Sequence, residues 1–390
     1  MSLYNKDMVE MKKVKKALFA KIYALIAIIF IFAGLIIIRL FELSAEFWTR
    51  TYYRFLQSTF GPLVSWIPFS IAEVFFILFA LTIIVLLVFI FADFAKRKGL
   101  EGLNKSLALL LVVVSTFAYY FSTAGVGYGR YPVDIPQHQE NVESSEYVPI
   151  VEHFLTDFNA VADTLDFDVN GSVIKPYTIS ELNIILQNEF EGLESDYFTR
   201  FTPNVKPMFL SFLFREFNIT GISFAPTTEP NINYLTPDSQ LVSTMAHEIA
   251  HSKGAMREQD ANLVAAYILL NSEEPYLRYS GYYTTFYSII SLANFVGDDQ
   301  KYSELYNSLR PEIKNDYKYS REYWAEHDFL DDMATWFNNL YLSIVGNEGV
   351  SSYVDNPDID ETTDPDTGET IQYIKEFSPF QKLYFYFYYE

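Results

Sequence analysis

Residues 236–267 read TPDSQLVSTMAHEIAHSKGAMREQDANLVAAY and carry the clearest structural signal in the chain. Thr236 followed by Pro237 is typical of a helix start, with Thr as the N-cap and Pro at the first helical position. Gly254 is the position where a left-handed cap would let the chain reverse. Residues 257–267 are rich in good helix formers and predict a second helix that runs back past the first. The segment therefore predicts two helices joined by a tight turn.

The first of these helices has two distinct faces. His247 and His251 are four residues apart, so both imidazoles project from one side, one turn apart. Two nitrogens placed in this way can hold one Zn²⁺ ion at about 2.0–2.1 Å each. Glu248 flanks that position, where it could take a proton from a water molecule, and it is the predicted catalytic base. Three apolar residues share another face and are expected to pack into a core: Val242, Met245 and Ile249.

A catalytic zinc site needs a third protein ligand, and the chain contains no cysteine to supply it. Glu258 would lie about 10 Å beyond His251 if the first helix continued, so the helix must end before it. The returning helix then brings Glu258 to the metal as the predicted third ligand. Asp260 is the alternative, and either carboxylate could instead stabilise the start of its own helix through the helix dipole. Asn262 is expected to hydrogen-bond a ligating histidine.

Three apolar segments occupy the first third of the chain, each long enough to cross a hydrocarbon core about 30 Å thick as a helix. They are residues 22–40, 71–91 and 107–124. Lysine-rich stretches precede the first segment and separate the second from the third, which predicts a cytoplasmic N-terminus and an extracytoplasmic C-terminal domain. We therefore expect a multi-pass plasma-membrane protein that contacts the bilayer through three helices. Glu73, near the start of the second segment, is expected to reach water at the interface rather than to bind an ion inside the membrane.

Charge is distributed unevenly along the sequence. Residues 1–130 contain 14 Lys and Arg against 7 Asp and Glu, whereas the remaining chain contains 14 against 42. A domain this acidic repels phosphate backbones, so nucleic-acid binding is not expected.

The predicted fold is an α-helical membrane anchor of three spans (residues 1–124), a linker (125–146) and a mainly helical α+β domain with a small sheet (147–390). Within the domain, residues 351–370 are acidic and lack calcium-loop spacing, so we expect a solvated surface loop. Asn231–Leu235 is predicted to be an extended segment at a sheet edge. The longer apolar patterns predict these helices: 147–165, 179–193, 282–296, 302–309, 321–345 and 376–389.

The residues of the proposed site resemble the zincin superfamily, and in particular its gluzincin branch. His247-Glu248-Ile249-Ala250-His251 matches the HExxH motif of those enzymes, and residues 258–262 (EQDAN) look like their E-x-x-A-[DN] glutamate helix. The resemblance implies a zincin-like domain in which His247, His251 and Glu258 bind zinc and Glu248 is the general base. The gap from His251 to Glu258 is shorter than in most gluzincins, and Arg257 stands where the third histidine of a metzincin would fall.

The layout is also similar to an uncharacterised bacterial family with three N-terminal membrane helices and an external HExxH domain. Residues 223–233 (SFAPTTEPNIN) and 247–262 (HEIAHSKGAMREQDAN) carry that likeness.

The pattern as a whole predicts a membrane-anchored zinc metallohydrolase, and a peptidase in particular. Its substrate would be a peptide or protein, which could pair with Asn231–Leu235 as an added strand. His327 and Arg257 are candidates for stabilising the developing oxyanion, and His327 is taken as a catalytic residue, with a structural role as its alternative. The alternative function is a non-catalytic zinc-binding membrane sensor or scaffold. Cleavage specificity and oligomeric state are left open by the sequence.

Overall fold

The computed structural model describes residues 3–193, 195–296, 300–344, 355–363 and 370–390. Its first five helices are α1 (Leu3–Arg39), α2 (Glu42–Trp48), α3 (Arg54–Ser65), α4 (Ile71–Ala95) and α5 (Gly99–Thr123). Three of them are long and apolar enough to cross a membrane: α1 from Met11 onward, α4 and α5. The three predicted spans are therefore confirmed as candidates, and the chain is a membrane protein. The short helices α2 and α3 lie between the first two spans and are joined by a π-helical turn.

The rest of the chain is mostly helical. Its helices among the described residues are α6 (Tyr147–Ala162), α7 (Ile179–Glu191), α8 (Ser211–Glu216), α9 (Asp238–Ser252), α10 (Glu258–Asn271), α11 (Pro275–Ile290), α12 (Lys301–Ser308), α13 (Pro311–Ala325), α14 (Asp331–Ile344) and α15 (Pro379–Tyr389). Local sequence explains several starts: Thr178 and Glu181 form a capping box for α7, and Ser378 and Gln381 form one for α15.

Two small sheets accompany the helices. One has β1 (Lys206–Pro207), β2 (Gly221–Phe224) and β3 (Glu229–Ile232), and the other pairs β4 (Asp358–Thr363) with β5 (Thr370–Glu376). In the first sheet β3 lies in the middle, parallel to β1 and antiparallel to β2. The predicted edge segment Asn231–Leu235 is therefore wrong, because Asn231 and Ile232 belong to the central strand. Every residue of β3 is buried, as a strand with neighbours on both sides requires.

Two other predictions need correction. The single helix expected over residues 321–345 is two, because α13 ends at Ala325 and α14 begins at Asp331. Between them the Leu330 amide donates to the Glu216 carbonyl. In a continuous helix this amide would donate to a carbonyl of its own helix instead. The acidic stretch 351–370 contains strand β4 rather than only loop, and its residues 351–354 and 364–369 lie outside the described residues.

Residues 125–146 do not form an exposed linker. They begin with a 3-10 turn, Gly125–Gly129, whose first four residues are buried, and they pass along the domain core. Arg130 is 1% exposed, and three apolar residues are buried after it: Val133, Ile135 and Val142. The burial of this stretch could not be predicted from the sequence, because its buried residues follow neither the helical nor the strand period.

Helix α9 lies near the centre of the domain. Val242, Met245 and Ile249 are all fully buried, which confirms the predicted core face. The helix packs against α10, α11, β2 and β3. This packing holds the opposite side of α9 at a fixed distance from the start of α10.

Two buried carboxylates join the sheet region to the start of span α4. Glu229 of β3 accepts hydrogen bonds from the Ile71 and Ala72 amides at 3.0 and 2.8 Å, and it pairs with Lys206 at 2.5 Å. In return, Glu73 of α4 accepts from the Phe209 and Leu210 amides, both at 2.7 Å. Glu73 is only 6% exposed, so the expectation that it reaches water is wrong. A carboxylate at a helix N-terminus satisfies free amides and favours the helix dipole, so this exchange fixes α4 against the domain.

A second junction is built on Arg130. Its guanidinium donates from Nε and Nη2 to the two carboxylate oxygens of Glu46 on α2, at 2.8 and 2.9 Å. It also donates to the carbonyls of Gly254 and Tyr197, at 2.8 and 3.0 Å, and lies over the Tyr197 ring. One buried cation therefore connects the segment between the first two spans with the turn that follows α9.

Replacing Arg130 by methionine tests this junction. The variant removes the buried cationic partner of Glu46, which keeps only its contact with the partly exposed Arg50, and breaking a buried ion pair costs about 3–5 kcal/mol. We expect a clearly lower thermal midpoint for the full chain in detergent than for the wild type. Lys318→Met, which removes an exposed pair with Glu322, is the matched control and is expected to change stability by less than about 0.5 kcal/mol. Equal midpoints for the two variants would contradict a structural role of the Arg130 junction.

Candidate metal centre

The local structure around the HEIAH segment differs from prediction at its start and agrees at its end. Pro237 is the N-cap of α9 and Asp238 its first residue, so the proposed Thr236 cap is wrong; the Thr236 hydroxyl is buried without a hydrogen-bond partner. At the other end Gly254 has φ of 109°, which confirms the predicted reversal. Its amide bonds the His251 carbonyl at 2.9 Å, and α10 starts four residues later at Glu258. An L side chain rarely adopts this φ, so a glycine is needed here.

This turn brings His247, His251 and Glu258 together. One possible ligand atom from each residue lies within 4.8 Å of the others. Nε2 of His247 and Nε2 of His251 are each 3.3 Å from Oε2 of Glu258. Two imidazole nitrogens and one carboxylate oxygen converging on one point form a set of three protein ligands of the kind found in catalytic zinc sites.

Neighbouring groups orient two of these side chains. Nδ1 of His251 donates to the Ala255 carbonyl at 2.7 Å, which leaves Nε2 free to face the centre of the group. The hydroxyl of Tyr128 donates to Oε1 of Glu258 at 3.2 Å and leaves Oε2 facing the histidines. The predicted orienting residue Asn262 lines the adjacent cavity instead. The sequence predicted neither of these contacts. Ala255 reaches the site because of the turn after α9, and Tyr128 reaches it because residues 125–146 pack into the domain instead of forming a linker.

Burial and charge shift the titration of these residues. Burial alone would raise the pKa of Glu258, but the two histidines outweigh it and lower that pKa well below its usual range. For His251 burial would lower the pKa, and the Glu258 carboxylate outweighs it and raises the pKa to about 9. The three side chains thus form a buried, charge-coupled group.

Glu248 lies beside this group and is 5% exposed. Burial raises its pKa, with the nearby histidines opposing the shift. One carboxylate oxygen, Oε2, is buried and has no hydrogen-bond partner. A Cβ on Gly221 of β2 would come within 2.6 Å of Oε1 of Glu248, so the strand approaches this carboxylate closely because residue 221 is glycine. Gly221 is a site residue that the sequence offered no signal for.

The residues present fit a zinc ion. The donor set is nitrogen and oxygen, the ligand atoms already converge, and Glu248 offers an unpaired carboxylate oxygen next to them. A carboxylate beside a zinc ion is the arrangement needed to accept a proton from water.

The other predicted site residues lie elsewhere. Asp260 is engaged by Arg257, whose Nε donates to Oδ2 at 2.8 Å, and it also accepts from the Val133 amide. Nδ1 of His327 is 3.2 Å from Oε1 of Glu216, and its ring packs against Tyr323. Neither His327 nor Arg257 is among the residues that line the cavity over the metal centre. The expectation that His327 is catalytic is therefore corrected: it contacts Glu216 and connects α8 with the α13–α14 connection.

A large cavity of about 1060 Å³ opens onto the metal centre. His247, Glu248, His251 and Glu258 form part of its wall, together with strand β2. A cavity of this size is at the upper end of the range for small-molecule sites and can hold a substrate beside the metal.

The choice between Glu258 and Asp260 as third ligand can be tested by substitution. Glu258→Gln removes the converging carboxylate and is expected to weaken zinc binding by more than about 100-fold, since even outer-sphere changes cost 10–100-fold. Asp260→Asn removes an equal charge two residues away and is expected to retain zinc, measured by elemental analysis of the purified full chain after dialysis. Retention by Glu258→Gln together with loss in Asp260→Asn would reverse the assignment.

Comparison with known proteins adds a family but no activity. The family model described as "Protein of unknown function (DUF3810)" matches residues 48–358, which include α4, α5 and the whole candidate metal centre. No curated protein and no solved structure matches the chain. Since the match covers most of the sequence, the chain belongs to the DUF3810 family of proteins of unknown function.

Proposed function

We propose that this protein is a membrane-anchored zinc-dependent peptidase of zincin type. The observation that carries the proposal is the convergence of His247, His251 and Glu258 beside the unpaired, buried carboxylate oxygen of Glu248. A purely structural zinc site has no need of such a base, which favours an enzyme over a zinc-binding sensor or scaffold.

A bound zinc ion would polarise the scissile carbonyl and make a neighbouring water more acidic. Oε2 of Glu248 accepts one proton from that water while the water oxygen bonds to the carbonyl carbon. When the C–N bond breaks, Glu248 passes the proton to the leaving nitrogen, so the products are a carboxylic acid and an amine. Burial raises the pKa of Glu248, which is the direction expected of a group that must take up a proton before it passes it on.

The substrate is proposed to lie along β2. This strand is an outer strand of its sheet, and its residues line the cavity next to Glu248. An extended peptide can add to such a strand through main-chain hydrogen bonds. Strand β2 thereby takes the part first assigned to Asn231–Leu235. The hydroxyl of Tyr128 lies in the cavity and donates to Glu258, and we infer that it turns to the substrate carbonyl when substrate binds, in the role first assigned to His327 or Arg257.

The reaction is proposed to take place outside the cytoplasm. The lysine-rich ends of the spans lie opposite the ends that contact the domain, and positive residues favour the cytoplasmic side.

The proposal is tested with the full chain purified in detergent. We expect stoichiometric zinc in the wild type and in Glu248→Gln, with cleavage of a mixed peptide library slower by a factor of about 10²–10⁴ in the variant. Zinc and cleavage are measured by elemental analysis and mass spectrometry on the same samples.

Glu216→Gln provides the control, because it removes a carboxylate that pairs with His327 outside the cavity. It is expected to cleave at the wild-type rate. Zinc in all three proteins without cleavage in any would favour the sensor or scaffold, and a folded wild type without zinc would overturn the proposal entirely.

A further inference from the structure

The cavity over the metal centre continues between two candidate membrane spans. From α4 it is lined by three phenylalanines, and from α5 by residues over about two turns. These residues are Phe75, Phe76, Phe79, Val113, Phe117 and Tyr120. The site where we place hydrolysis is therefore continuous with a surface that faces lipid.

The depth of the cavity follows from helix geometry. Val113 lies ten residues before the end of α5 at Thr123, and Phe79 lies eight residues after the start of α4 at Ile71. At a rise of about 1.5 Å per residue these positions are roughly 15 and 12 Å from the helix ends next to the domain. The hydrocarbon core is about 30 Å thick, so a cavity of this depth spans most of one leaflet.

The cavity is polar at one end and apolar at the other. Its upper part contains the metal-binding group and polar side chains such as Thr244 and Asn262. Among the described residues that line its lower part, between α4 and α5, none is charged and most are aromatic or aliphatic. A molecule that fills it must match both ends.

Apolar side chains also surround the mouth. Asp331 and Thr335 of α14 line the cavity, while the outer face of α14 exposes Met333, Trp336 and Leu340 at 44%, 60% and 46%. Near α8, Phe209 and Phe212 are exposed at 81% and 56%, beside the cavity-lining Phe214. Exposed apolar faces next to membrane spans are typical of surfaces that lie in the lipid interface. The mouth therefore opens toward the bilayer.

We propose that the substrate is a lipid-modified peptide whose acyl chain occupies the lower part of the cavity while its peptide segment lies at the metal centre; this deepens, and rests on, the peptidase function proposed above. Moving a long acyl chain from lipid into water costs free energy for every methylene group. A cavity that keeps the chain in apolar surroundings lets the peptide reach Glu248 without that cost.

Size favours an acyl chain over a transmembrane polypeptide. A helix about 10 Å across that entered to a depth of 15 Å would need roughly 1200 Å³. The cavity of about 1060 Å³ must also hold the peptide segment at the metal. A flexible hydrocarbon chain is narrow enough to share this space.

Photo-crosslinking in lipid nanodiscs tests the inference on the full-length Glu248→Gln protein, which binds without turnover. The probe is a short peptide whose N-terminal palmitoyl chain carries a diazirine. We expect crosslinks at cavity-lining residues of α4 and α5, mapped by mass spectrometry, and their loss when Val113→Trp is added to fill the lower cavity.

Leu110→Trp is the matched control, since Leu110 is on the same helix and as exposed as Val113 but does not line the cavity. It is expected to leave the crosslinks unchanged. Labelling spread evenly over the lipid-facing sides of α1, α4 and α5, unaffected by Val113→Trp, would overturn the inference. So would labelling of the cavity by a diazirine-bearing transmembrane peptide but not by the palmitoyl probe.

A kinetic comparison separates this inference from the proposed peptidase. For the wild type we expect KM for the palmitoylated peptide to be at least about tenfold below that for the acetylated peptide of the same sequence. Zinc-dependent cleavage with equal KM values and no cavity labelling would overturn the lipid inference alone. Cavity labelling in a protein without zinc or cleavage would overturn the peptidase and leave only a lipid-binding cavity.

Discussion

The burial of Arg130 is the constraint on which the rest of the structure depends. A fully buried guanidinium must have all its donors satisfied, and here its partners come from three distant parts of the chain: Glu46, Tyr197 and the Gly254 carbonyl. The last partner belongs to the turn that brings Glu258 to the histidines. Gly254 leaves no room for a side chain, because a Cβ there would come within 2.9 Å of the same guanidinium. The geometry of the metal centre and the attachment of the domain to the membrane segment therefore depend on one cation.

A second consequence is that the domain and the spans form one structural unit. Glu229 from the sheet completes the N-terminus of α4, and Glu73 from α4 completes the N-terminus of α8. Buried carboxylates with these partners are costly to separate, so the domain does not hang from a flexible tether. The stretch 125–146, which looked like a linker, is part of the core and supplies Tyr128 to the site. A cavity shared by the metal centre and two spans is possible only because of this rigid contact.

The two proposals follow from the two ends of that cavity. At one end, buried and coupled titratable groups surround a point suited to a cation, with an unpaired carboxylate oxygen beside it. At the other end the walls are apolar and belong to helices that contact lipid. Hydrolysis explains the first end, and an acyl chain on the substrate explains the second. Membership of the DUF3810 family constrains neither proposal, so both depend on the geometry of this chain.

Some of this was determined by sequence alone because it depends on local periods. The length of the apolar segments determines the three spans. The 3.6-residue helical period determines the face of α9 that carries His247 and His251, and the backbone freedom of glycine determines the reversal at Gly254. The preference for Glu258 over Asp260 depends on the turn: the structure brings Glu258 to the two histidines and pairs Asp260 with Arg257. Other features were decided only by tertiary structure. They are the central position of β3, the hydrogen bonds from Tyr128 to Glu258 and from His251 to Ala255, the close approach of Gly221 to Glu248, and the position of His327 outside the cavity. Each of these depends on partners far away in the chain, and no local pattern records which distant residues meet.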